Sequence, residues 1–280
     1  MKPKKNPPAP VYYRDAVAVL MYHNVSPHSG RGTITPEQFE AELEFLEQKG
    51  FRIIPVSLLA AFLEGRAAVP PNAVVLTFDD GYRGMYQYVL PVLKKHRAPA
   101  AVFLIGEYIG TKPAFLTWPQ VQALEESGLV TIGGHTYNQH YGVLTSSRLV
   151  RPATVARIYD FRQRHEETEK EYENRMLADG RRFQETVRLR LGHETPYFAF
   201  PYGAYDPCLI RVLRAAGFRY MFTVLEGMNK QRQDPARLYR INAAPGHSSP
   251  RCLFASIQYA VLAARLPHRQ PTAWCPRWKE

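Results

Sequence analysis

Two groups of acid–base residues stand directly after apolar runs. Thr77-Phe78-Asp79-Asp80-Gly81 puts adjacent carboxylates at the end of Ala73–Phe78 (AVVLTF). Inside a strand they would point to opposite faces, but a turn at Gly81 lets them converge. Two carboxylates held together need a cation or a shared proton; the alternative is a DDG turn that merely closes a strand. His135-Thr136-Tyr137-Asn138-Gln139-His140 likewise follows an apolar run and Gly133-Gly134. Histidines at i, i+5 lie about 140° apart on a regular helix, so they converge only on irregular backbone; otherwise they are surface residues. A carboxylate plus two imidazoles suits Zn²⁺, Fe²⁺, Co²⁺ or Ni²⁺ and leaves positions for water and substrate. The second aspartate is then free to act as a base on that water.

Two further segments gain weight from these. In Phe200-Pro201-Tyr202-Gly203-Ala204-Tyr205-Asp206, proline and glycine make a rigid turn that can aim a backbone N–H into a site. The alternative is a plain strand-to-helix turn with Asp206 as cap. Met21-Tyr22-His23-Asn24-Val25 places a histidine after the first apolar run. All four segments end a strand at its carboxyl side, where barrel sites are built.

The elements that must position them read as alternating strands and helices. Ala16–Met21, Phe51–Ile54, Ala73–Phe78, Ala100–Ile105, Leu129–Ile132, Tyr197–Phe200 and Tyr220–Val224 are the expected strands. Helices are expected from Thr35-Pro36-Glu37 to Gly50, over Ser57–Leu63, and at about 84–96, 118–127 and 207–216. Strands separated by helices of this length are parallel with crossovers. An α/β fold follows, a barrel, complete or incomplete, in preference to an open sheet. Residues 141–192 break the rhythm: they carry no strand signal, and about Thr168 to Leu191 read as a long charged helix. This is a helical insertion, of the kind that borders the active face of a barrel.

With 280 residues, 45% of them hydrophobic, the chain is long enough for one large domain. The expected division is a flexible, basic, Pro-rich tip over 1–15 and a single domain over 16–280. No apolar run is long enough to span a membrane. The net charge of +11 raises nucleic acid, anionic membrane and anionic wall polymers as partners. Residues 148–280 carry 23 basic against 13 acidic side chains and 1–147 carry 13 against 12. The excess is therefore C-terminal and mixed with acids, as on a solvated helix, and no nucleic-acid partner is expected. Cys208, Cys252 and Cys275 form no CxxC pair; one disulfide and three thiols are both compatible with them. MKPKKNPPAP has no apolar h-region and is not a signal peptide as written.

The four segments together resemble the polysaccharide deacetylase superfamily, carbohydrate esterase family 4, over roughly residues 16–245. The resemblance implies a distorted, incomplete (β/α) barrel that removes N-acetyl groups from amino sugars with one bound divalent metal (Zn, Ni, Co or Fe). HTYNQH, YHNV, Phe115–Trp118 (FLTW) and the charged insertion are similar to the branch acting on poly-β-1,6-N-acetylglucosamine, a biofilm exopolysaccharide. Carried across residue by residue, the resemblance implies Asp79 as general base and Asp80, His135 and His140 as metal ligands. It implies His23 as general acid, with the Tyr202 N–H holding the oxyanion. Two departures stand out. The histidines are spaced i, i+5 where the common pattern has i, i+4. Ala199 stands where the superfamily commonly has an arginine, so an Arg–Asp79 pair is absent or supplied from elsewhere. His247 is the alternative acid. A deacetylase of chitin oligomers or peptidoglycan, and a non-catalytic polysaccharide-binding module, are the competing functions. The implied protein is a monomer acting on an amino-sugar polysaccharide outside the cytoplasm or in the periplasm, with peripheral envelope association possible.

Overall fold

Period-two alternation in apolar strands decides the architecture. The computed structural model describes residues 10–28, 30, 32–244 and 249–264. Its strands are β1 (Ala16–Tyr22), β2 (Arg52–Ile53), β3 (Ala73–Phe78), β4 (Ala100–Leu104), β5 (Val130–Gly134), β6 (Tyr197–Ala199) and β7 (Tyr220–Phe222). They pair in parallel in the order β7-β6-β5-β4-β3-β1, with β2 beside the first residues of β3. β1 and β3 are buried at every position, as parallel strands covered on both faces must be. Ala18, Leu20, Val74 and Leu76 belong to the core shared with the helices. Val17, Val19, Val75, Ala101, Phe103, Ala199 and Phe222 pack together on the opposite face.

The curled sheet closes through irregular chain. β8 (Asn229–Lys230) runs antiparallel to the start of β1. Leu238 then bridges to Phe222 of β7, and β9 (Ile241–Asn242) pairs in parallel with Leu20 and Met21 of β1. One bridge and one two-residue strand thus span the gap, so the expected distorted, incomplete barrel is what forms.

The helices follow the expected positions, with one more over Pro250–Ala263 that was not expected. Thr35 closes a capping box with Gln38 on α1 (Pro36–Gln48), followed by α2 (Val56–Leu63). The helix expected at 84–96 begins as a π-helical turn over Met85–Val89 and continues as α3 (Leu90–His96). Leu90 N–H donates to Met85 O, and Pro91 has no N–H to continue an i to i−4 ladder. α4 (Trp118–Glu126), α5 (Glu169–Leu191), α6 (Pro207–Ala215) and α7 (Pro250–Ala263) complete the set. α5 starts at a Thr168–Glu171 capping box, ends at left-handed Gly192, and packs on α6.

Two sequence readings need correction. The insertion is not strandless: 142–144 pairs antiparallel with 150–152, and 159–160 with 165–166. These ladders are too short for periodicity to register. The expected flexible tip also ends earlier than residue 15. Tyr12 and Tyr13 N–H donate to Asn72 Oδ1 (2.8 and 3.3 Å), and the Tyr13 hydroxyl donates to Ala73 O at 2.7 Å. The Tyr12 ring stacks on Phe51 at 5.3 Å between centroids. Residues 1–9, His247 and Cys275 lie outside the described residues; Cys208 and Cys252 are free thiols.

Candidate metal centre

Asp79 continues the alternation of β3, so its side chain follows Ala73 and Val75 onto the inward face. Its N–H still donates to Tyr22 O at 2.9 Å. The turn then begins at Asp80 itself, which is left-handed (φ 74), followed by Gly81 (φ 82). A Cβ on Gly81 would lie 2.8 Å from Leu104 Cδ2, and the left-handed φ of 82° itself favours glycine beneath β4. This is how neighbouring carboxylates reach one site from a strand that would separate them. Thr136 (φ 72) and Tyr202 (φ 56) are left-handed in the turns after β5 and β6. Three non-glycine residues in a conformation costing about 1–3 kcal/mol each are over-determined by their surroundings.

The structure brings Asp80, His135 and His140 together. Asp80 Oδ1 lies 3.4 Å from Nε2 of both histidines, and one ligand atom from each residue falls within 4.8 Å of the others. Asp80 Oδ1 is buried and accepts no hydrogen bond, a costly state unless a cation completes it. His135 Nδ1 is 2.8 Å from Ala199 O, which turns Nε2 toward Asp80. Burial lowers the pKa of His135 to about 3 and that of His140 to about 4, so both rings are neutral donors at neutral pH. Burial and the adjacent Asp79 charge push the Asp80 carboxyl up to about 7. An oxygen without a partner facing two neutral imidazoles fits a divalent transition ion well.

Asp79 is held differently. Burial would raise its pKa, but the Arg240 charge beside it, helped by His135, outweighs this and keeps the carboxyl at about 2. Arg240 is fully buried, and its Nη1 and Nη2 donate to Asp79 Oδ1 and Oδ2 at 2.7 and 2.8 Å. Its Nε donates to Thr223 O at 2.8 Å. The arginine missing at position 199 is therefore supplied by the segment that closes the barrel. Sequence reasoning raised the need for it without finding it; the one signal is that Arg240 stands two residues after apolar Leu238, both buried on either side of half-buried Tyr239.

Tyr202 and His23 complete the set. The Tyr202 ring lies 4.4 Å from that of His140, and its hydroxyl donates to His140 O at 3.3 Å. Asp206 caps α6 by accepting Leu209 N–H at 2.7 Å, so this segment serves as both turn and cap. His23 follows β1 on the inward face, half-buried. Burial lowers its pKa, the Asp79 charge raises it and Arg240 lowers it, so it shares one electrostatic field with the base. Asp179, which accepts the Tyr137 and Asn138 N–H groups, and Arg175, which donates to the Gln139 side chain, lie in the charged insertion, where nothing in the sequence singled out either one.

Comparison with known proteins places this geometry. The poly-β-1,6-N-acetyl-D-glucosamine N-deacetylase of Escherichia coli K12 is 27% identical over 255 residues, covering 85% of this chain and 36% of that protein. The chain thus spans about a third of the length of that relative. A de-N-acetylase structure from Aggregatibacter actinomycetemcomitans superposes with a TM-score of 0.77 at 27% identity, covering 85% of this chain and 100% of that one. The BpsB deacetylase domain of Bordetella bronchiseptica gives 0.73 at 25% identity, over 83% and 97%. The model of the family described as polysaccharide deacetylase matches residues 66–221, a stretch that runs from before the paired aspartates to β7, and the chain belongs to that family.

Proposed function

We propose that the chain hydrolyses the N-acetyl amide of an N-acetylglucosamine polymer and releases acetate, with poly-β-1,6-N-acetylglucosamine as the substrate. The observation that carries this reading is the division of labour between neighbouring carboxylates. Asp80 offers an unbonded oxygen to two neutral imidazoles, while Arg240 keeps Asp79 ionised beside it. Asp80, His135 and His140 would hold one divalent ion, which when bound supplies Lewis acidity toward the acetyl carbonyl and lowers the pKa of water.

Asp79 accepts the proton of the attacking water. Its low pKa makes it a weak base but leaves it fully ionised at neutral pH. The Tyr202 N–H, fixed by the left-handed turn, donates toward the oxyanion that develops on the acetyl oxygen. His23 hands a proton to the departing amine. Burial lowers its pKa, which makes the protonated ring a stronger donor than an exposed imidazolium. Asp79 and His23 therefore act in sequence, with one proton leaving water and one reaching the amine. No described helix is long and apolar enough to cross a membrane. We place the reaction where such polymers lie, in the periplasm or outside the cell, and read the chain as a monomer.

Acetate release from β-1,6- and β-1,4-linked N-acetylglucosamine oligomers, with metal-free and metal-replenished protein, tests the reading. Metal-dependent release from the β-1,6 series is expected. Release from the β-1,4 series alone would instead assign a chitin- or peptidoglycan-type substrate. No release in the presence of bound metal would refute catalysis.

A further inference from the structure

The two histidines of the metal centre are anchored unequally. His135 directly follows β5, with its N–H on Leu104 O at 2.8 Å and its ring on Ala199 O. His140 stands five residues later on backbone that belongs to no strand or helix. Between them Thr136 is left-handed, although it is β-branched.

What shapes this excursion comes from α5. Asp179 is buried and accepts Tyr137 N–H on Oδ2 and Asn138 N–H on Oδ1, both at 2.8 Å. One turn earlier on the same helix, Arg175 Nη1 donates to Gln139 Oε1 at 2.8 Å. Arg175 is itself fixed: it donates to Ala153 O and Ala156 O at 3.0 Å and to both oxygens of Glu167 at 2.7 and 2.8 Å. Residues 137, 138 and 139 are each held by one of two side chains of the insertion helix.

We propose that Asp179, seconded by Arg175, is a positioning residue for the metal loop. It keeps His140 at the separation from His135 and Asp80 that a divalent ion needs, across the i, i+5 spacing. On this account the insertion helix is the outer mould of the metal centre. The inference rests on the proposed metal centre and adds a determinant outside its ligands. Neither residue belongs to the ligand set, so the effect belongs in metal affinity and not in turnover at saturating metal. Outer-shell groups of this kind change metal affinity about 10–100-fold. An asparagine at 179 keeps the shape but turns an NH₂ donor toward one of the two N–H groups.

The test uses the full chain as wild type, Asp179→Asn and Arg175→Met. Each is stripped of metal and titrated with Co²⁺, followed by visible absorption, and the metal-free forms are melted alongside. Asp179→Asn is expected to bind Co²⁺ about 10–100-fold more weakly, with kcat near wild type once metal is saturating. Arg175→Met should show a smaller loss in the same direction. A folded Asp179→Asn chain that binds Co²⁺ as tightly as wild type overturns the inference. So does weaker binding with a kcat that stays low at saturating metal. If Asp179→Asn does not melt cooperatively, Arg175→Met decides, and unchanged affinity there overturns it. A wild-type chain that takes up no Co²⁺ overturns the metal centre itself, a result visible before any variant is made.

Discussion

Replacing Arg240 with methionine would leave the Asp79 carboxylate buried without its cation. Arg240 is fully buried and engages both oxygens of Asp79, and methionine refills much of the apolar stem. Removing one partner of such a pair costs about 3–5 kcal/mol, because the remaining charge is uncompensated. In the wild type Asp79 titrates at about 2 against an ordinary 3.8, a difference worth about 2 kcal/mol of folding stability. Because the folded pKa is the lower one, this contribution is present above 3.8 and is lost as the pH falls through about 2. In the variant burial acts without the Arg240 charge, and the Asp79 pKa rises. The destabilisation is then largest at neutral pH and shrinks on acidification, as the carboxyl takes up a proton. Urea unfolding of metal-free wild type, Arg240→Met, Asp79→Asn and the double variant, at neutral and at mildly acidic pH, measures this. The gap between wild type and Arg240→Met should be about 3–5 kcal/mol at neutral pH and should narrow in acid. The double variant should recover part of it. The acid limb of the pH–rate profile should also move to higher pH. A gap below about 1 kcal/mol, or one that does not change with pH, would refute the assignment of Arg240 as the counter-ion that matters.

Asp79→Asn should reduce acetate release by about 10²–10⁴-fold while bound metal, measured by elemental analysis, stays at the wild-type level; full activity would overturn the base assignment. Metal affinity should fall about tenfold per pH unit on acidification below about 7, where the Asp80 proton competes with the ion. A flat affinity profile through that range would show that Asp80 is not a ligand. Gly84→Ala would place a Cβ 2.0 Å from Val25 O, a backbone atom with no side-chain rotation to relieve the clash. It should cost about 1–3 kcal/mol in thermal unfolding and lower kcat/KM by shifting the segment that carries His23; wild-type stability would refute the close approach.

Much of the centre is legible in the chain because strand alternation is local. Val17, Val19 and His23 share one face of β1 and its extension, as Ala73, Val75 and Asp79 do for β3. An apolar run therefore tells which following residue points inward. The helix caps at Thr35 and Asp206 were legible for the same reason, since each bond spans three residues. The short antiparallel pairs of the insertion were not, because strands of two or three residues contain no full period.

The sequence by itself determined the residue types of the site, the strands that end at them, and the family. Only the tertiary structure decided that Arg240 holds Asp79 from 161 positions away and that Asp179 holds Tyr137 and Asn138 across 42 and 41. It also decided that the turn starts at Asp80, where backbone strain is stabilised by β4 and by the centre itself. Periodicity carries which face a side chain takes; it carries nothing about which distant charge the closing chain will return to that face.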